Sequence, residues 1–219
     1  MRVILLGLPG SGKGTQGVRI AEKYQVPHIA TGDIIREHIA LGSPFGKKVE
    51  AAIAAGKFAP DEDVLYWVNL RLEQPDASHG YVMDGFPRDV VQAQAFAGYN
   101  EDRSITLDAA IELVIAEEAL LERLTGRLVC PTCGESYQVT SRPPCHAGVC
   151  DRDGVQLVRR PDDEMSAIKT RFETYRSVTA PLRTWYEKVG IYTPIDADGT
   201  ASDVFDRITF SLTQRKART

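Results

Sequence analysis

An open α/β fold, a parallel sheet with helices packed on its faces, is what this chain predicts, and three observations carry the prediction. Short apolar runs alternate with helical patterns along its 219 residues, as strand–helix–strand units require. The first run, Val3-Ile4-Leu5-Leu6, opens directly into Gly7-Leu8-Pro9-Gly10-Ser11-Gly12-Lys13-Gly14-Thr15. Another, Tyr81-Val82-Met83, opens in the same way into Asp84-Gly85-Phe86-Pro87-Arg88. Both junctions fall at carboxyl ends of strands, where open α/β sheets hold their ligands.

The elements follow in order. Residues 3–6 are continuously apolar, which suits a parallel strand buried on both faces, and the glycine loop after them leads into a helix over 13–24. A strand at 26–29 is followed by a helix over 32–41, with Thr31 and Asp33 as caps. Helices at 45–55 and 61–72 precede the strand at 81–83. A helix at 90–99, a strand at 110–114 and a helix at 117–124 come next. The stretch from Gly126 to Arg160 holds all four cysteines, with several prolines and glycines and little helical periodicity. It is expected to be an inserted subdomain. One long helix over 163–189, a strand at 192–195 and a helix over 201–214 complete the chain, making five strands. No tandem repeat is present.

Length and charge narrow the function. A chain of 219 residues suits one α/β domain with inserts. A net charge of -4 gives bulk electrostatics no reason to draw it to nucleic acid or membrane. The apolar run after Met1-Arg2 stops at Gly7, too soon for a signal sequence, and nothing approaches the roughly 18–20 apolar residues of a membrane span. A soluble, cytoplasmic enzyme is expected.

The glycine loop turns tightly, aims several N–H groups at one point and leads into the positive end of a helix dipole. Lys13 adds a full charge for the β- and γ-phosphates, so a nucleoside triphosphate is expected here. Gly14 stands where this motif usually has Ser or Thr, and Thr15 follows it. Asp84 can hold water on magnesium and Arg88 can fork a phosphate; taken alone, the same pentapeptide could be a turn with a surface ion pair. Arg36, about one turn into its helix, could reach a second phosphate or be a solvated surface group.

Together these residues resemble the adenylate kinases of the long-lid type found in bacteria. The resemblance rests on residues 7–16, Thr31-Gly32-Asp33 with Arg36, Gly56-Lys57 followed by Pro60-Asp61-Glu62, residues 84–88 with Gln92-Ala93, and Gly126-Arg127. Arg160-x-Asp162-Asp163, Arg171, Thr179-Ala180-Pro181-Leu182 and Asp198-Gly199 continue it. It implies a P-loop nucleoside monophosphate kinase fold. Its core would be 1–29, 60–126 and 165–219, with an AMP-binding insert at 30–59 and a lid at 127–164. The partners implied are ATP, AMP and ADP, with Mg2+, and the chain would be a monomer.

Carried over by position, Gly10, Ser11, Gly12, Lys13, Gly14 and Thr15 would cradle ATP and Arg123 would stack on its adenine. Arg36 and Arg88 would bind the AMP phosphate. Thr31, Gly85, Gln92 and the backbone of Lys57, Phe58 and Ala59 would recognise adenosine. Arg127, Arg160 and Arg171 would join Lys13 and Arg88 in neutralising the transferring phosphoryl group, with Arg160 and Arg171 also reaching AMP and Arg127 reaching ATP. Asp33 and Asp84 would order waters on magnesium. Ala30 replaces a common serine, and Phe58-Ala59 replaces a more usual aliphatic pair. Kinases of pyrimidine or guanine nucleotides would use the same phosphate contacts; the long cysteine-bearing lid favours adenine. A zinc-containing nucleic-acid module is a further reading that the acidic balance disfavours.

Cys130-Pro131-Thr132-Cys133-Gly134 and Cys150-Asp151-Arg152-Asp153-Gly154 form two matched knuckles. Cys130, Cys133, Cys150 and Asp153 could complete a tetrahedral zinc site. Cys145 and His146 are rival ligands, and disulfides are the alternative in an oxidising compartment. The resemblance favours the three-cysteine, one-aspartate set.

Overall fold

The computed structural model describes residues 1–217. Five strands, β1 (Arg2–Leu6), β2 (His28–Ala30), β3 (Tyr81–Asp84), β4 (Ala109–Val114) and β7 (Tyr192–Asp196), form one parallel sheet in the order β2-β3-β1-β4-β7. Between β4 and β7, β5 (Arg127–Val129) and β6 (Ser136–Gln138) make a separate antiparallel pair. The helices are α1 (Lys13–Tyr24), α2 (Thr31–Ala40), α3 (Pro44–Ala54), α4 (Asp61–Leu72), α5 (Val90–Asp102), α6 (Glu117–Thr125), α7 (Met165–Thr174), α8 (Leu182–Val189) and α9 (Ala201–Lys216).

Strand alternation divides the core into two layers. Ile4, Leu6, Met83 and Ala110 face one side, against Val64, Val68, Phe86, Phe96 and Tyr186. Val3, Leu5, Val82 and Ile111 face the other, against Ile20, Ile195, Val204 and Ile208. The five expected strands and their parallel sheet are therefore present. Burial on both faces explains why the strands read as unbroken apolar runs.

Three expectations need correction. The second strand runs over His28–Ala30 rather than 26–29, because Pro27 has no N–H to give a ladder and contributes only its carbonyl, which accepts from Val82 N at 2.9 Å. The long helix expected over 163–189 is broken. A 3₁₀ turn at Pro161–Asp163, α7, a π-type turn at Tyr175–Thr179 and α8 take its place. Pro181 explains the second break: it cannot donate to the preceding turn, and Ala180 N reaches back to Tyr175 O at 2.8 Å instead. Third, the cysteine-rich segment contains the short β5–β6 pair, too brief for its alternation to stand out in the sequence.

Candidate active site

The register of the sheet gathers the sequence motifs at one edge. Leu5 of β1 and Ala30 of β2 both pair with Asp84 of β3, so the glycine loop, Thr31 and Asp84 leave three adjacent strands side by side. Helix α1 begins at Gly12, which takes a left-handed conformation (φ 97°), and no side chain caps it among the described residues. Side chains cap α3 (Ser43), α5 (Asp89) and α9 (a Thr200–Asp203 capping box), whereas among the described residues α2, α4, α6, α7 and α8 start uncapped as α1 does. An uncapped helix start next to a glycine loop presents free N–H groups suited to phosphate oxygens. Lys13 Nζ donates to Gly7 O at 2.6 Å and Leu8 O at 3.0 Å, within the same loop.

The cations crowd one crevice. Burial pushes the Lys13 ammonium down from its ordinary 10.5 to about 8; Asp84 pulls it back up, while Arg171, Arg88 and Arg127 push it further down. Burial likewise takes Arg88 down to about 10, helped by Arg171 and Arg36 and opposed by Asp84 and Asp162. Arg160 also falls to about 10, through burial and the charges of Arg36 and Arg127. Burial works against the Asp84 carboxylate, yet the His28 imidazole and the charges of Lys13 and Arg88 outweigh it and leave the group below its usual range. Asp84 thus stays anionic beside α1, its Oδ2 3.7 Å from where a Gly14 side chain would begin.

Several arginines are already aimed. Arg127 is paired through Nε and Nη2 with Asp163, its Nε donating to Oδ2 at 2.7 Å. Arg171 Nη1 lies 3.0 Å from Asp162 Oδ2 and 3.2 Å from Asp163 Oδ1. Arg36 pairs with Asp33, which is largely exposed. Arg88 Nε donates to Gly85 O at 2.9 Å, and its guanidinium lies over the Phe58 ring. Gly56, after α3, sits so close to α7 that a side chain there would meet Ala167 O at 2.5 Å. The 30–59 segment is therefore docked against the helix that bears Arg171.

Thr31 Oγ1 donates to Gly85 O at 2.8 Å. The fully buried Gln92 accepts from Arg88 N at 2.9 Å and donates to Asp61 Oδ1 at 2.6 Å, leaving one site free at each end of its amide. Ala59 is buried and Lys57 exposed. Arg123 stands on the other flank, donating to Ala197 O at 3.3 Å just after β7. Sequence reasoning assigned no role to Asp162 and Asp163, which hold the arginines, or to His28, whose Nε2 lies 3.7 Å from Asp84 Oδ2. The Arg-x-Asp-Asp run was the available signal for the first two; His28 carried none.

A second cluster lies in the 127–164 segment. Ligand atoms of Cys130, Cys133, Cys150 and Asp153 all fall within 4.8 Å of one another, and all four cysteines are free thiols. Two matched turns bring them together: Gly134 N donates to Cys130 O at 3.1 Å and Gly154 N to Cys150 O at 3.0 Å. The Cys133 and Cys150 sulfurs are 3.6 Å apart, close to the roughly 3.8 Å expected of two thiolates on one tetrahedral zinc. The Val155 N–H, above all, holds the Asp153 carboxyl down at about 2, leaving it anionic. This donor set can hold a metal. Cys145 is exposed, and neither it nor His146 belongs to the cluster.

The family model described as Adenylate kinase matches residues 5–191. The adenylate kinase of Moorella thermoacetica is 45% identical over 196 residues, 90% of each chain. That of Clostridium beijerinckii is 42% identical over 205 residues, 94% of this chain and 95% of its own. That of Thermoanaerobacter pseudethanolicus is 41% identical over 215 residues, 98% of this chain and 99% of its own.

Proposed function

Because the chain belongs to the adenylate kinase family, an enzyme that transfers the terminal phosphoryl group of ATP to AMP reversibly and with magnesium, we propose how its residues divide that work. Gly10, Ser11, Gly12, Lys13, Gly14 and Thr15 hold the ATP phosphates, and Arg123 packs on the ATP adenine. Arg36 and Arg88 take the AMP phosphate; Thr31, Gly85, Gln92 and the backbone of Lys57, Phe58 and Ala59 surround adenosine. Arg127, Arg160 and Arg171 neutralise the group in flight, Arg127 from the ATP side and the other two from the AMP side. The observation that carries this reading is the crevice in which Lys13 feels Arg88, Arg127 and Arg171 at once. Such a concentration of half-buried cations suits a polyphosphate.

The AMP oxygen that attacks is already anionic at neutral pH, so no general base is required, and positioning and charge neutralisation do the catalysis. Magnesium would enter with ATP and supply charge neutralisation to its phosphates; Asp84, kept anionic beside the loop, would hold its water shell, and Asp33 is assigned the same role. Segments 30–59 and 127–164 close over the crevice and exclude water. The core is 1–29, 60–126 and 165–219, of which 218 and 219 lie outside the described residues. Assaying ADP formation with AMP, CMP, UMP and GMP tests the assignment: AMP is expected to be the strongly preferred acceptor, and equal use of CMP or GMP would contradict it.

The Lys13 ammonium gives a pH signature. Its native-state pKa is lowered to about 8, so the free enzyme loses the charge as pH rises through that value. The kcat/KM for ATP, which reports the free enzyme, is expected to decline above about pH 8. Bound phosphates hold the proton on, so kcat at saturating ATP stays level to higher pH. A kcat/KM that is flat to pH 10 would contradict the role given to Lys13.

We further propose that Cys130, Cys133, Cys150 and Asp153 bind one structural zinc, which supplies folding free energy to the 127–164 segment. One zinc is expected to co-purify per chain, and chelation or Cys130→Ser should lower the melting temperature. Cys145→Ser should do neither, and activity at low temperature should largely survive zinc loss. The ligand set fails if Cys145→Ser releases the metal while Asp153→Ala does not. No helix of the described residues is long and apolar enough to cross a membrane. The net charge of -4 and a thiol cluster rather than disulfide pairs support a cytoplasmic protein that binds neither nucleic acid nor membrane, and we propose that it is a monomer.

A further inference from the structure

Three arginines of the crevice meet a carboxylate: Arg36 meets Asp33, Arg127 meets Asp163, and Arg171 meets Asp162 and Asp163. Arg88 is different. Among the described residues no carboxylate lies within salt-bridge distance of Arg88, which is half-buried and feels the like charges of Arg171 and Arg36. Two contacts hold it. Its Nε donates to Gly85 O at 2.9 Å, and its Cζ lies 4.4 Å from the centroid of the Phe58 ring.

These contacts divide the work. The Nε bond anchors one edge of the guanidinium and leaves the two terminal nitrogens free for a forked contact. One anchor does not fix the plane of the group, whereas a ring face does. The ring also offsets the buried charge through its quadrupole, and it does not compete with phosphate for N–H donors, as a carboxylate would. Leucine or valine at this position would offer no such face. Phe58 lies in the loop between α3 and α4, two residues after the Gly56 contact with α7, so the ring meets Arg88 where the 30–59 segment is docked.

We propose that Phe58 is a positioning residue: its ring holds the Arg88 guanidinium in the plane that presents both terminal nitrogens to the AMP phosphate. This rests on the assignment of Arg88 to that phosphate, and it adds a side-chain role to a residue otherwise assigned only backbone contacts with adenosine.

The test is calorimetric titration of the full chain with AMP and with adenosine, using Phe58→Leu, Phe58→Tyr, Arg88→Ala and the Phe58→Leu/Arg88→Ala double variant. Phe58→Leu should weaken AMP roughly 5- to 20-fold, the scale of one desolvated cation–π contact, and leave adenosine unchanged. Phe58→Tyr keeps the ring and should retain AMP affinity. In the Arg88→Ala background Phe58→Leu should have no further effect, because the two residues act as one unit. Equal weakening of AMP and adenosine by Phe58→Leu, or a loss that persists without Arg88, would overturn the proposal, since the ring would then serve the nucleoside. Unchanged AMP affinity in Phe58→Leu, with a clear loss in Arg88→Ala, would overturn it alone. Unchanged affinity in Arg88→Ala would overturn the assignment of Arg88 beneath it.

Discussion

Turnover is expected to fall by roughly 10²- to 10³-fold in each of Lys13→Met, Arg88→Ala and Arg127→Ala, the usual consequence of removing one preorganised charge from a dry site. The reason is local. The reaction gathers negative charge on the oxygens of the phosphoryl group in flight, and these cations, each half-buried, already stand around the place it must occupy. A lysine in place of any of the arginines would keep the charge and lose the planar fork, so Arg→Lys variants should be only partly active. Stability should separate the three. Arg127 is paired with Asp163, whose side chain is only 3% exposed. Its loss leaves a buried carboxylate with Arg171 as its remaining ion-pair partner, so the melting temperature should drop. Arg88 has no such partner, and Arg88→Ala should lose activity with little loss of stability. Steady-state assays beside thermal melts check both halves. Near-normal turnover in any variant would remove that residue from the site.

How far the sequence reached follows from the range of each signal. The glycine loop, Thr31-Gly32-Asp33 and Asp84 through Arg88 were legible because each is a contiguous motif at the end of an apolar run, and the sheet register brings those ends together. The matched knuckles were legible for the same reason: each pairs two ligands within one turn, and the cluster they form excludes Cys145. What escaped depends on contacts between distant segments. Asp61 meets Gln92, Phe58 meets Arg88 and His28 meets Asp84 across 30 to 56 positions of chain, and no periodicity encodes such meetings. The long helix misread over 163–189 is a different failure. Its side chains keep a helical pattern, but Pro181 lacks the N–H the helix would need, and the chain relieves this with a π-type turn. Pro27 displaced the second strand through the same missing donor. In both places the missing proline N–H outweighs the apolar pattern around it.

One crevice is proposed to hold two adenine nucleotides with their phosphates end to end. The most direct measurement is calorimetric titration with two adenosines joined by five phosphates. A ligand of this kind docks one half and then places the other at high effective concentration, with little translational freedom left to lose. One molecule should bind per chain, with affinity tighter than that of ATP by roughly 10²-fold or more, and with most of that advantage lost in Arg88→Ala. Affinity no better than that of ATP, or two molecules bound per chain, would contradict it.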